Sequence, residues 1–182
     1  LHAVKEPRVK DRVEWLRKRS EWLRTSASDA VGAAAKQSVE RALAEAEARP
    51  ERSLDALTSL MDDRSLFDFE ARIVGQRMLR VGIRSGNDEL LADLLRATQL
   101  RLGRLSHPGH RAELIGECLR AAAVLHDSGG VDELLDAVVT LVRTPDAPAT
   151  RDLLTAVTPG LAALRRLGAG DSARRFLDAL VP

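Results

Sequence analysis

Apolar residues return every third or fourth position along most of this chain, the spacing that lines up one face of an α-helix. Leu90, Leu91, Leu94, Leu95, Leu102 and Leu105 make one such stripe. Leu114, Ile115, Cys118, Leu119, Ala122 and Leu125 make a second, and Leu134, Leu135, Val138, Leu141 and Val142 a third. Glycine, proline and short polar runs separate the stripes, and together they predict nine helices. The first runs from about Arg8 to Arg24 and the second, alanine-rich and capped by Ser28 or Asp29, from Ala30 to Ala48. Pro50 suits the first turn of a third helix over Glu51 to Met61, because the N–H it lacks would have no partner there. Leu66 to Ile83, Asp88 to Leu105, Arg111 to His126 and Asp132 to Arg143 follow, the last two split by a turn at Ser128-Gly129-Gly130. The eighth covers Thr150 to Leu167, with a kink or a restart expected at Pro159 and Thr158 as the cap. The ninth runs from Asp171 to Val181.

These helices pair. A long helix, a tight turn and a shorter helix that opens with an acid occur four times, the short helices starting at Glu51, Asp88, Asp132 and Asp171. Glycine supplies the left-handed turn and the acid suits the positive end of the next helix. Short turns make each pair antiparallel, and a unit of about 40 residues cannot bury both its faces alone, so neighbouring units must stack. The expected fold is all-α: antiparallel helix pairs stacked as an α-solenoid of about nine helices. Its repeats cover approximately 28–63, 64–106, 107–146 and 147–182, and the separate basic helix of residues 1–27 packs on the repeats or caps them.

The echo is plainest in Gly86-Asn87-Asp88-Glu89-Leu90-Leu91, Gly130-Val131-Asp132-Glu133-Leu134-Leu135 and Gly170-Asp171-Ser172-Ala173. This rhythm resembles tetratricopeptide repeats and, in the length of its unit, HEAT-type repeats, over about residues 28–182. The resemblance implies a scaffold that binds partners along a groove and carries over no site residue.

Composition bends the picture the same way. Aromatic residues are 3% of the chain and Tyr is absent, so strand formers are thin while helix formers abound. The single cysteine, Cys118, excludes an intramolecular disulfide, and a reducing cytoplasm is the expected compartment. No apolar run is long enough to span a bilayer. The first residue is Leu, which suggests a piece of a longer chain, and the richness in Ala, Arg and Leu suggests a GC-rich bacterial source. Net charge is +1, but residues 1–24 hold eight Lys or Arg against four Asp or Glu.

Little here resembles catalytic equipment. His107 and His110 with Cys118 or His126 are a thin set for zinc, since Cys118 falls within an apolar stripe. Asp62, Asp63, Asp68 and Glu70 cluster where a helix begins, and capping accounts for them. Gly168-Ala169-Gly170 lacks the strand and the spacing of a nucleotide fingerprint. Gly32, Gly75, Gly82 and Gly116 sit in helical segments and point to close helix contact. Arg165, Arg166, Arg174 and Arg175 straddle the last turn, where the helix dipole favours cations. No catalytic residue, cofactor or metal is expected.

The first helix is the expected partner-binding element. Val9, Val13, Leu16 and Leu23 share one side, Trp15 and Trp22 lie at its edge, and Arg8, Arg12 and Arg19 project beside the indoles. Tryptophan next to arginine offers stacking and cation–π contact. The residues therefore read as a non-catalytic protein–protein interaction or scaffold module of a larger protein, with self-association through the first helix a further prospect. The alternative is a nucleic-acid-binding helical-repeat domain that uses the basic first helix. An enzyme on a helical-repeat scaffold would want a carboxylate flanked by aromatics, which the composition does not favour.

Overall fold

Each described segment with a 3.6-residue apolar period forms a helix in the computed structural model, which describes residues 30–62, 68–144, 147, 150–166, 168 and 170–180. Among the described residues eight helices follow one another: α1 (Ala30–Ala48), α2 (Pro50–Asp62), α3 (Asp68–Ser85), α4 (Asp88–Leu102), α5 (Pro108–Val124), α6 (Ser128–Val142), α7 (Thr150–Arg166) and α8 (Gly170–Leu180). The described residues contain no strand. The helix expected at Arg8 to Arg24 lies outside them. Residues 1–41 and 42–182 make two compact units, the boundary falling inside α1.

Helix starts are more regular than the sequence suggests, each 18 to 22 residues after the one before. Two boundaries moved for identifiable reasons. The turn expected at Ser128-Gly129-Gly130 is instead the first turn of α6, where the Asp127 carboxylate accepts from the Gly130 N–H at 2.9 Å. The preceding helix ends with the Asp127 N–H donating to the Ala122 carbonyl at 3.0 Å and the His126 N–H to Ala123 at 3.2 Å. His126 takes the left-handed position between them, at φ 55°, which glycine usually fills. At Pro159, α7 runs unbroken, and the Thr158 hydroxyl donates to the Leu154 carbonyl at 2.6 Å instead of capping a restart.

Local chemistry accounts for the other ends. Pro50 opens α2, and Pro108 sits in the first turn of α5, positions that waste no hydrogen bond. Gly86 closes α3 at φ 65°, and the Asn87 side chain accepts from the Leu90 N–H at 3.0 Å to start α4. This turn doubles the chain back, so that Gly82 of α3 faces Leu91 and Leu94 of α4.

All three leucine-rich stripes face inward. Leu90, Leu91, Leu94 and Leu95 are buried, as are Leu114, Ile115, Cys118, Leu119 and Ala122, and Leu134, Leu135, Val138 and Leu141. Each buried Leu, Ile or Val contributes about 1.5–3 kcal/mol. Helix α5 is the centre: it packs on α3, α4, α6 and α7, and eleven of its residues are buried. Helix α2 packs on α3 and α4, and α8 packs on α6 and α7.

The closest approach joins α5 to α7. A methyl group on Gly116 would fall far inside van der Waals contact distance of the Ala156 carbonyl oxygen. One on Gly160 would lie 2.6 Å from Leu119 Cβ and 2.7 Å from the Gly116 carbonyl oxygen. The two backbones therefore touch, with glycine on both sides. Pairing of 116 with 156 and of 119 with 160 makes α5 and α7 parallel.

Replacing Gly116 or Gly160 with alanine should lower the urea midpoint sharply, at a cost of about 2–4 kcal/mol, because backbone must move. Gly103, with nothing within 4 Å of its side-chain position and an ordinary helical φ of −65°, should accept alanine with no loss. Equal effects at all three positions would contradict the close crossing.

Candidate functional site

Helices α3 and α5 meet along a ladder of polar side chains. At the base, one oxygen of Asp68 accepts from the Ser106 hydroxyl and from the His107 N–H, both at 2.7 Å. His107 is the N-cap residue of α5 and its own side chain makes no cap bond, so Asp68 supplies from a neighbouring helix the negative charge this terminus favours. Arg72 pairs with Glu113 one turn up, its guanidinium also lying 4.9 Å above the Phe69 ring. Arg80 then donates from Nε at 3.2 Å and from Nη2 at 2.5 Å to one oxygen of Glu117. Partners ascend together along both helices, so α3 runs parallel to α5, offset by 37 to 41 residues.

Glu117 is the most unusual member. Its side chain is only 7% exposed whereas that of Arg80 is 50% exposed. The second oxygen, Oε2, is buried with no hydrogen-bond partner among the described residues. Stranding a buried carboxylate costs several kcal/mol, so Glu117 holds Arg80 in place as firmly as Arg80 holds it. Further along α3, Arg84 reaches Glu47 of α1 at 3.6 Å.

The histidines do come together. The ring centroids of His107 and His110 lie 4.5 Å apart, and Phe69 meets His110 edge-on at 6.1 Å. Burial, then the nearby charges of His107 and Arg72, outweigh Asp68 and pull His110 from its ordinary 6.5 down to about 4. Cys118 faces the core, and burial, with Glu117 beside it, pushes its thiol well above the usual range. It stays protonated, so it is no nucleophile at neutral pH. No group of three or more His, Cys, Asp or Glu among the described residues is arranged to hold a metal ion.

The acidic cluster is divided by the fold. Asp62 ends α2, Asp63 lies outside the described residues, and Asp68, expected to serve its own helix start, reaches across to α5 instead. Arg165 and Arg166 are exposed at the end of α7, and Arg174 is exposed on α8. Trp15, Trp22, Arg8, Arg12 and Arg19, the expected partner-binding set, lie outside the described residues. Among the described residues no helix is long and apolar enough to cross a membrane.

The sequence hid two of these features. Asp68 to His107 and Arg80 to Glu117 join helices some 40 positions apart in sequence, and one sequence offers no local signal for them. Gly160 could have been singled out beside Pro159 as an interruption of a helix with no turn to serve. No protein-family model, no curated protein and no solved structure matches the chain.

Because His110 remains neutral in the fold to about pH 4, the unfolded chain alone takes up this proton below pH 6.5. Stability from this residue is full above pH 6.5 and drains away as pH falls toward 4, by an amount of order 2 kcal/mol. Urea unfolding of the wild type and of His110→Gln between pH 7 and 4 should show a shallower decline in the variant. Parallel declines would contradict the assignment.

Proposed function

We propose that this chain is a non-catalytic interaction module built as an α-solenoid, and that a protein partner docks along the outer face of its α3–α5–α7 row. The observation that carries this reading is the parallel row itself. Three helices, each about 40 residues from the next, lie side by side in one direction, and the second helix of each pair packs behind them. Such repetition gives a broad surface of equivalent positions, suited to an extended or helical segment of another protein.

The chemistry of the row agrees. Its polar residues pair with one another across helices, Arg72 with Glu113 and Arg80 with Glu117, which is how a scaffold fixes register. The cysteine is interior and protonated, and His110 is buried with the Phe69 ring against it. None of them is presented for proton transfer to a substrate.

Capture experiments should distinguish the faces. Thr158→Trp with Ala162→Trp places bulk on exposed positions of α7, and Asp132→Trp with Asp136→Trp does the same on α6. A partner enriched by the wild type should be lost with the α7 variant and kept with the α6 variant. Trp15→Ala with Trp22→Ala reports separately on the amino-terminal segment. The same proteins captured equally by the wild type and the α7 variant would contradict docking on the row.

A further inference from the structure

Charge is sorted between the two sets of helices. Arginines outnumber acids nine to five on α3, α5 and α7, whereas on α2, α4, α6 and α8 acids outnumber arginines eleven to five. The imbalance is sharper toward one end. Since α3, α5 and α7 are parallel, their carboxyl-terminal halves lie together, and residues 76–85, 117–124 and 158–166 contain Arg77, Arg80, Arg84, Arg120, Arg165 and Arg166. The one acid in these stretches, Glu117, is buried beneath Arg80.

Helix dipoles account for only part of this. Cations are favoured in the last turn, which covers Arg84, Arg165 and Arg166. Arg77, Arg80 and Arg120 stand more than a turn inside their helices, where that effect has faded. Arg80 has Nε and Nη2 bound to a single Glu117 oxygen while half its side chain faces solvent. Arg84 is 64% exposed with Glu47 at 3.6 Å, a long pairing that an incoming carboxylate can displace.

From this clustering we infer that the carboxyl-terminal end of the α3–α5–α7 row is a docking site for an acid-rich segment of a partner protein. The inference deepens the interaction-module reading and rests on it. Every cation in the cluster is arginine, whose planar fork pairs two-pronged with carboxylates and sheds water more readily than lysine does. Neighbouring helix axes are about 8–10 Å apart, so the three helices span about 16–20 Å. An extended segment covers that distance in about six residues. Nucleic acid is the poorer occupant. The row's aromatic rings, Phe69 and His110, pack against each other at the opposite end, which leaves no platform for stacked bases among the arginines. The acid-laden helices behind the row would also repel a long polyanion, whereas a short acidic segment stays on the arginines.

The test uses the whole 182-residue chain. A fluorescent decapeptide of alternating Glu and Ala is titrated by anisotropy at low and moderate salt, beside its Lys–Ala counterpart and a single-stranded oligonucleotide of equal charge. The Glu peptide should bind, more weakly as salt rises, and at least tenfold more weakly to Arg120→Glu with Arg165→Glu. Arg96→Glu with Arg174→Glu makes the same charge change on exposed residues of α4 and α8 and should shift affinity less than twofold. Arg120→Lys with Arg165→Lys keeps the charge, so its weaker binding alongside unchanged thermal unfolding would support a role for the arginine fork. Equal loss in both charge-reversed pairs, an oligonucleotide bound as tightly as the peptide, or no saturable peptide binding would overturn the inference. A partner lost on blocking α7 but indifferent to the arginine reversals would sink the acidic segment alone and leave the interaction module standing.

Discussion

Contact between the backbones of α5 and α7 at Gly116 and Gly160 is the constraint on which the rest of the described structure depends. The helices approach this closely because each brings a glycine to the crossing, and the gain is dispersion contact along it. With α7 fixed against one side of α5, helices α3, α4 and α6 pack on others, and eleven of its residues leave water. A helix held by four neighbours cannot shift along its axis without opening the crossing, so its position sets the position of its neighbours.

Polar groups do for α3 what glycine does for α7. Asp68 ties the start of α3 to the start of α5, Arg72 and Glu113 join the next turn, and Arg80 with Glu117 closes the ladder. Apolar stripes alone tolerate sliding by a turn, because leucines replace leucines. A buried carboxylate does not, since each slipped register strands Glu117 away from its guanidinium. Register along the row is thus imposed by charge on one side of α5 and by the absence of side chains on the other. Arg80, fixed from below and open above, carries that order out to the surface.

How much of this could be read from residues alone depended on the range of the interaction. The helices and the burial of the three leucine-rich stripes followed from periodicity, because a 3.6-residue pattern is local and repeats many times. The start of α6 was misread because the left-handed turn position belongs to His126, not to the glycines that usually announce it. The restart offered at Pro159, with Thr158 as its cap, does not occur, because tertiary packing around Gly160 outweighs one missing hydrogen bond. Of the site, Arg165 and Arg166 were noticed as a cluster, but their kinship with Arg80 and Arg120 depends on contacts across some 40 residues. No linear pattern carries that information. The tryptophan-bearing segment, the most conspicuous feature of the sequence, falls outside the described residues and stands on its residue chemistry alone.

The parallel row is the central claim, and distances between spin labels at its two ends test it most directly. Labels replacing Arg84 and Arg166 mark the carboxyl-terminal ends of α3 and α7, and a label replacing Arg151 marks the amino-terminal end of α7. Two helix spacings separate the first pair, about 16–20 Å between axes. The length of α7 adds to the second, about 22 Å along its axis at 1.5 Å per residue. The account predicts that electron–electron resonance will find the 84–166 distance shorter than the 84–151 distance by roughly 10 Å. Equal distances, or the reverse order, would contradict it.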